Sequence, residues 1–244
     1  MAYIQEIVKA GRTIEFHKYY SYNHKSKNTV RQPRTNNTKE AQERINYKRK
    51  EKKLTRLLNT NFIPNDYHIV LNYEIENRPE NVECMKADIR NFLKKLRKEY
   101  KKQNKELKYI HVPQRGVKGA LHHHLVINKI DPAILSRCWS KGRVNIHLLD
   151  RTGQYRKLAA YLLKYTKTNK EDAKKLGKSW NPSRNLKQPI IIKKVISKHD
   201  FFKDKVIIPK KYSDYYIDKE TIFSGYHEET GYKYFTYTIV KNIE

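Results

Sequence analysis

From Tyr67 onward the chain alternates short β-prone runs with longer stretches whose apolar residues return every three or four positions. Tyr67–Tyr73 reads as a strand. After Pro79, residues Val82, Met85, Ile89, Phe92, Leu93, Leu96 and Tyr100 fall at i, i+3, i+4 spacing and predict an amphipathic helix to about Lys102. Lys108–Pro113 and Leu121–Asn128 read as strands joined through a turn at Gly116–Gly119. Asp131 caps a short helix to Trp139, and Arg143–Leu148 is a fourth strand. A last helix runs from about Thr152 through Tyr165, with Leu158, Ala159, Leu162, Leu163 and Tyr165 on its apolar face. The order β-α-β-β-α-β-α predicts an α+β fold, a central antiparallel sheet with helices on one side.

The flanks read differently. Tyr3 to Tyr20 predicts a hairpin around Ala10-Gly11. The stretch from Tyr22 to Asn37 is polar, with Lys25, Lys27, Arg31, Pro33 and Arg34, and reads as a basic arm. Thr38 can cap a helix to about Leu58, whose Lys48–Lys53 run is either solvated or turned towards DNA. Lys167 to Lys187 is polar and loop-like. Ile190–Ile192, Lys205–Ile208, a hairpin around Gly225–Gly231 and Tyr232–Val240 make the end of the chain strand-rich. The expected division is residues 1–66 as an N-terminal hairpin, basic arm and helix, and 67–244 as one domain with the C-terminal strands completing its sheet.

Charge narrows the function. Lys and Arg number 53 against 25 Asp and Glu, a net charge of +28, which favours a polyanionic partner. Cys84 and Cys138 are too few for a disulfide framework or a zinc ribbon, and a reducing cytoplasm fits them. The opening residues lack a basic stretch followed by an apolar core, and no apolar run approaches a membrane span, so a cytoplasmic protein without membrane attachment is expected. Gly177-Lys178-Ser179 imitates the end of a phosphate-binding loop, but Asp172 stands where the earlier glycine is required. No nucleotide cofactor is expected.

The candidate chemistry lies in Leu121-His122-His123-His124-Leu125 and Tyr161-Leu162-Leu163-Lys164. On a strand, His122 and His124 share one face while His123 projects from the other. Two imidazoles side by side can hold a divalent metal. Gln114 ends the preceding strand, and the glycine turn can return it beside the pair as an oxygen ligand. That donor set suits Mn²⁺ or Mg²⁺. His123 reads as a packed or hydrogen-bonded core residue, and a register in which it takes part stays open. His111 reads as structural. Tyr161 and Lys164 share a helix face. A tyrosine oxygen attacking a phosphodiester needs positioning, a metal and a nearby cation, and Lys164 can supply the cation.

These segments resemble the HUH endonucleases, in particular the rolling-circle replication initiators (Rep proteins) of bacterial plasmids and integrated elements. The resemblance spans about Tyr67 to Leu186 and includes Ser179-Trp180-Asn181-Pro182-Ser183-Arg184-Asn185-Leu186. It implies a ferredoxin-like, palm-type core carrying an N-terminal basic helical extension. It further implies His122 and His124 as metal ligands, Gln114 at a position often held by glutamate, Tyr161 as nucleophile and Lys164 as the motif lysine. Tyr165 is the second candidate nucleophile. Arg115, Lys118, Arg156, Lys167 and Arg184 are the candidate DNA contacts. The tyrosine follows the histidine motif, the reverse of the order usual in conjugative relaxases. The implied function is a metal-dependent endonuclease that nicks and rejoins single-stranded or hairpin origin DNA through a 5′-phosphotyrosine link, with helicase and polymerase supplied by the host. A single-tyrosine HUH transposase and a non-enzymatic basic nucleic-acid-binding protein are the alternatives.

Overall fold

The computed structural model describes residues 2–21, 24, 39–116, 120–164, 178–227 and 231–243. Most of the expected basic arm, together with Lys118, Tyr165 and Lys167, lies outside the described residues. The chain divides into two units, one of residues 1–60, 152–154 and 188–244, the other of residues 61–151 and 155–187.

In the first unit, β1 (Ala2–Ala10) and β2 (Thr13–Ser21) form the expected hairpin. Gly11 takes φ +56° at the first turn position, and a Cβ there would collide with the carbonyl oxygen of Asn59. Helix α1 (Lys39–Asn61) sends Arg56 between Glu6 and Glu15, at 3.1 and 2.7 Å. Burial pushes the Glu6 carboxyl up, but the Arg56 guanidinium outweighs it and the net displacement is downward.

The C-terminal strands correct the expected division. Strands β8 (Ile190–Val195), β9 (Tyr215–Tyr226) and β10 (Lys233–Lys241) join β1 and β2 in the order β8-β1-β2-β10-β9. They complete the sheet of the N-terminal hairpin, not that of residues 67–127. The physical reason is the inward stripe of β10. Phe235, Tyr237 and Ile239 close an apolar cluster with Ile14 and Phe16, and the Phe16 and Tyr237 rings stack at 4.9 Å. Lys205–Ile208 does not form the expected strand; Val206 and Ile208 pack against that cluster as irregular chain.

The second unit is an antiparallel sheet in the order β6-β3-β5-β4-β7. Its strands are β3 (Tyr67–Asn72), β4 (Tyr109–Arg115), β5 (Leu121–Ile127), β6 (Val144–Leu148) and β7 (Asn181–Pro182). The short β7 falls inside the stretch expected to be loop. Helix α2 (Val82–Lys102) buries the seven residues its periodicity selects, but it starts after Asn81, whose side chain accepts from the Cys84 N–H at 2.9 Å. Helix α3 (Pro132–Cys138) is capped by Asp131 as expected. Both helices pack on the face presented by Tyr67, Ile69 and Leu71 of β3 and Leu125 and Ile127 of β5. Helix α4 (Arg156–Lys164) meets the opposite face, where Tyr161 lies against His124, so the expectation of helices on one side is corrected. A helix of five residues, α5 (Lys198–Phe202), belongs to the first unit.

A polar chain runs through the core face. His123 is held on both nitrogens, by Tyr73 Oη at 2.9 Å and by His111 Nε2 at 3.0 Å. The structure therefore gives His123 the hydrogen-bonded core position and supplies the partner that His111 lacked in the sequence. Burial pushes His111 down to about 3 and His123 well below its ordinary value, so both imidazoles are neutral at neutral pH. Unfolding exposes them to titrate near 6.5, so the unfolded chain binds more protons below that pH. Stability should therefore be complete above about pH 6.5 and fall as the pH drops towards 3, by up to about 1.4 kcal/mol per pH unit for each imidazole. Urea unfolding at pH 7.5, 6 and 5 measures this, and an unchanged stability across that range contradicts it.

A candidate active site on the histidine-bearing sheet face

Strand alternation assembles the site. In β5, Leu121, His123, Leu125 and Ile127 turn to the core, so His122 and His124 take the other face. The neighbouring strands add residues by register. Gln114 of β4 pairs with His122, and Val70 of β3 pairs with His124. Gln114 thus returns beside the histidine pair as the glycine turn implied. Strand β3 also brings His68 to this face, one residue-pair along, and β6 brings His147 opposite His68.

Each candidate ligand has its orientation fixed by a second contact. Gln114 Nε2 donates to the Leu162 carbonyl of α4 at 2.8 Å, which directs Oε1 away from that bond. His122 Nδ1 faces the Ala120 carbonyl at 3.3 Å. A carbonyl only accepts, so the proton belongs on Nδ1 and Nε2 keeps its lone pair. His124 Nδ1 is 3.0 Å from His68 Nε2, leaving its own Nε2 outside that bond. Burial lowers His124 to about 3, with His68 and His122 adding to the effect, and it lowers His68 to about 4. His122 is displaced the same way by burial, against a smaller opposing contribution from Ala120. Neutral imidazoles are what a metal requires.

Two imidazole nitrogens and an amide oxygen fit a divalent ion of the Mn²⁺ or Mg²⁺ kind. Among the described residues no three His, Cys, Asp or Glu side chains group into a metal site. The third protein ligand must therefore be the Gln114 amide.

Tyr161 stands beside this set. Its ring lies 5.7 Å from that of His124 and 6.0 Å from that of His68, edge to face, and the residue is 46% exposed. Ala159, Leu162 and Leu163 are the buried residues that seat α4. Lys164 is exposed one turn beyond Tyr161. Arg156 opens α4. Arg115 follows Gln114, so alternation turns it to the opposite face. Arg184 is exposed after β7, where Ser183 bonds Tyr109 at the end of β4 away from Gln114. The structure does not bring it to the histidine pair.

Sequence reasoning missed His68 and His147. The available signal was His68 itself, a polar residue out of phase with the core positions Tyr67, Ile69 and Leu71.

The Gln114 amide does what a carboxylate cannot, because Leu162 offers a carbonyl that needs a donor. Gln114→Glu should lower the stability of the metal-free protein by about 1–3 kcal/mol, through loss of a buried hydrogen bond and an oxygen set against an oxygen. Urea unfolding in EDTA reads the change, and equal or higher stability would contradict it.

Residues 66–171 match the model of the replication-associated protein ORF2 family. No curated protein and no solved structure matches the chain. The matched stretch contains His68, Gln114, His122, His124, Tyr161 and Lys164. Over these residues the chain is similar to a family of replication-associated proteins, as its resemblance to rolling-circle replication initiators implied.

Proposed function

We propose that the chain is a replication initiator whose second unit nicks and rejoins single-stranded origin DNA to start rolling-circle replication. The observation that carries this reading is the half-exposed Tyr161 ring 5.7 Å from His124, on the sheet face that also holds His122 and Gln114. The match to a replication-associated family supports the biological setting. The net charge of +28 supports a nucleic-acid partner.

His122 Nε2, His124 Nε2 and Gln114 Oε1 would hold the divalent ion. When bound, it supplies Lewis-acid stabilisation of charge on the scissile phosphate. Tyr161 Oη attacks the phosphorus in line with the leaving oxygen. A bond forms between Oη and phosphorus, and the phosphorus–O3′ bond breaks. The departing 3′ oxygen takes up a proton and becomes the 3′-OH that primes synthesis. The 5′ phosphate stays on Tyr161 as a phosphodiester. Attack by a 3′-OH on that link reverses the exchange, so rejoining needs no nucleotide. Lys164, one turn from Tyr161, contributes a cation for the DNA backbone.

Tyr161→Phe should abolish the covalent protein–DNA adduct on a single-stranded origin oligonucleotide while leaving binding intact. Gel detection of an undiminished adduct would remove Tyr161 from this role. His124→Ala and EDTA should each stop Mn²⁺-dependent cleavage. A merely basic nucleic-acid-binding protein would bind the same oligonucleotide in a salt-sensitive way and cut it under no metal condition.

A further inference from the structure

His122 and His124 are oriented by partners of different chemistry. The Ala120 carbonyl that faces His122 only accepts, so it permits one tautomer. The partner of His124 is a second imidazole, which can donate or accept. His68 is buried, its Nε2 lies 3.0 Å from His124 Nδ1, and the two rings are within 11° of parallel at a centroid distance of 5.2 Å. On the neighbouring strand His147 stacks against His68 at 5.8 Å. A side chain flanked by rings and paired across three strands has little freedom to turn.

A single proton lies between His68 Nε2 and His124 Nδ1. If it belongs to His68, the proton of His124 is on its own Nε2, and that nitrogen cannot ligate. If it belongs to His124, the Nε2 lone pair is available. We propose that His68 is a positioning residue that accepts a hydrogen bond from His124 Nδ1–H and so holds the His124 Nε2 lone pair towards the divalent ion. This rests on the reading of His124 as a ligand.

The role is one a carboxylate or a backbone carbonyl usually plays for a ligating histidine. An imidazole in that place orients His124 without adding negative charge. With Gln114 as the oxygen donor, the protein then surrounds the ion with neutral groups alone. The ion's full charge remains for the DNA phosphate, an anionic ligand that the enzyme does not have to displace from its own carboxylates.

The test uses the full chain and Mn²⁺, followed by electron paramagnetic resonance of the free ion. His68→Leu, which removes the acceptor, should weaken Mn²⁺ binding about 10- to 100-fold. His68→Gln, whose amide oxygen can stand near the position of Nε2, should restore most of it. In ¹⁵N-labelled wild-type protein loaded with diamagnetic Mg²⁺, long-range ¹H–¹⁵N spectra should show the proton of His124 on Nδ1. Unchanged Mn²⁺ affinity in His68→Leu overturns the proposal alone, as does a His124 proton on Nε2. A wild-type chain that binds neither ion overturns the metal reading itself, and the proposal with it.

Discussion

The second unit depends on β5 being paired on both sides while its side chains alternate. Because β3 and β4 flank it, the strand cannot turn about its axis. Leu125 and Ile127 then fix which face is core, and the assignment of every other side chain follows. The same alternation sends His123 inward to Tyr73 and His111, and sends His122 and His124 outward to Gln114 and His68. One strand thus serves as a wall of the core and as the floor of the candidate site. The polar inward residue is tolerated because both of its nitrogens are bonded.

What the sequence made legible is local or joined by a short turn. The periodicity of α2, the Asp131 cap and the two faces of β5 are properties of contiguous residues. The return of Gln114 to His122 required only a tight connection between neighbouring strands. The approach of Tyr161 to the pair followed from the chemistry that the two motifs share.

What was not legible depends on long-range pairing. His68 reaches His124 because β3, distant in sequence, lies beside β5, and no spacing within either strand encodes that adjacency. The C-terminal strands have the same β-prone composition whichever sheet they join. Their destination is decided by the fit of Phe235, Tyr237 and Ile239 against Ile14 and Phe16. The face chosen by α4 was hidden for a related reason. Its apolar stripe is compatible with either side of the sheet, and the choice shows only in the bond from Gln114 to Leu162 and the rings around Tyr161.

That bond from Gln114 has an evolutionary consequence. Its acceptor on α4 is a main-chain carbonyl, which every residue type provides. The contact therefore specifies the height and phase of the helix above the sheet while placing no demand on the side chain at position 162 beyond its burial. The nucleophile's helix is free to drift in sequence as long as its backbone stays in place. Strand β4 is not free in the same way, since one amide there must both donate to the helix and offer its oxygen to the site. Selection should thus weigh on a single strand residue more heavily than on the helix it holds.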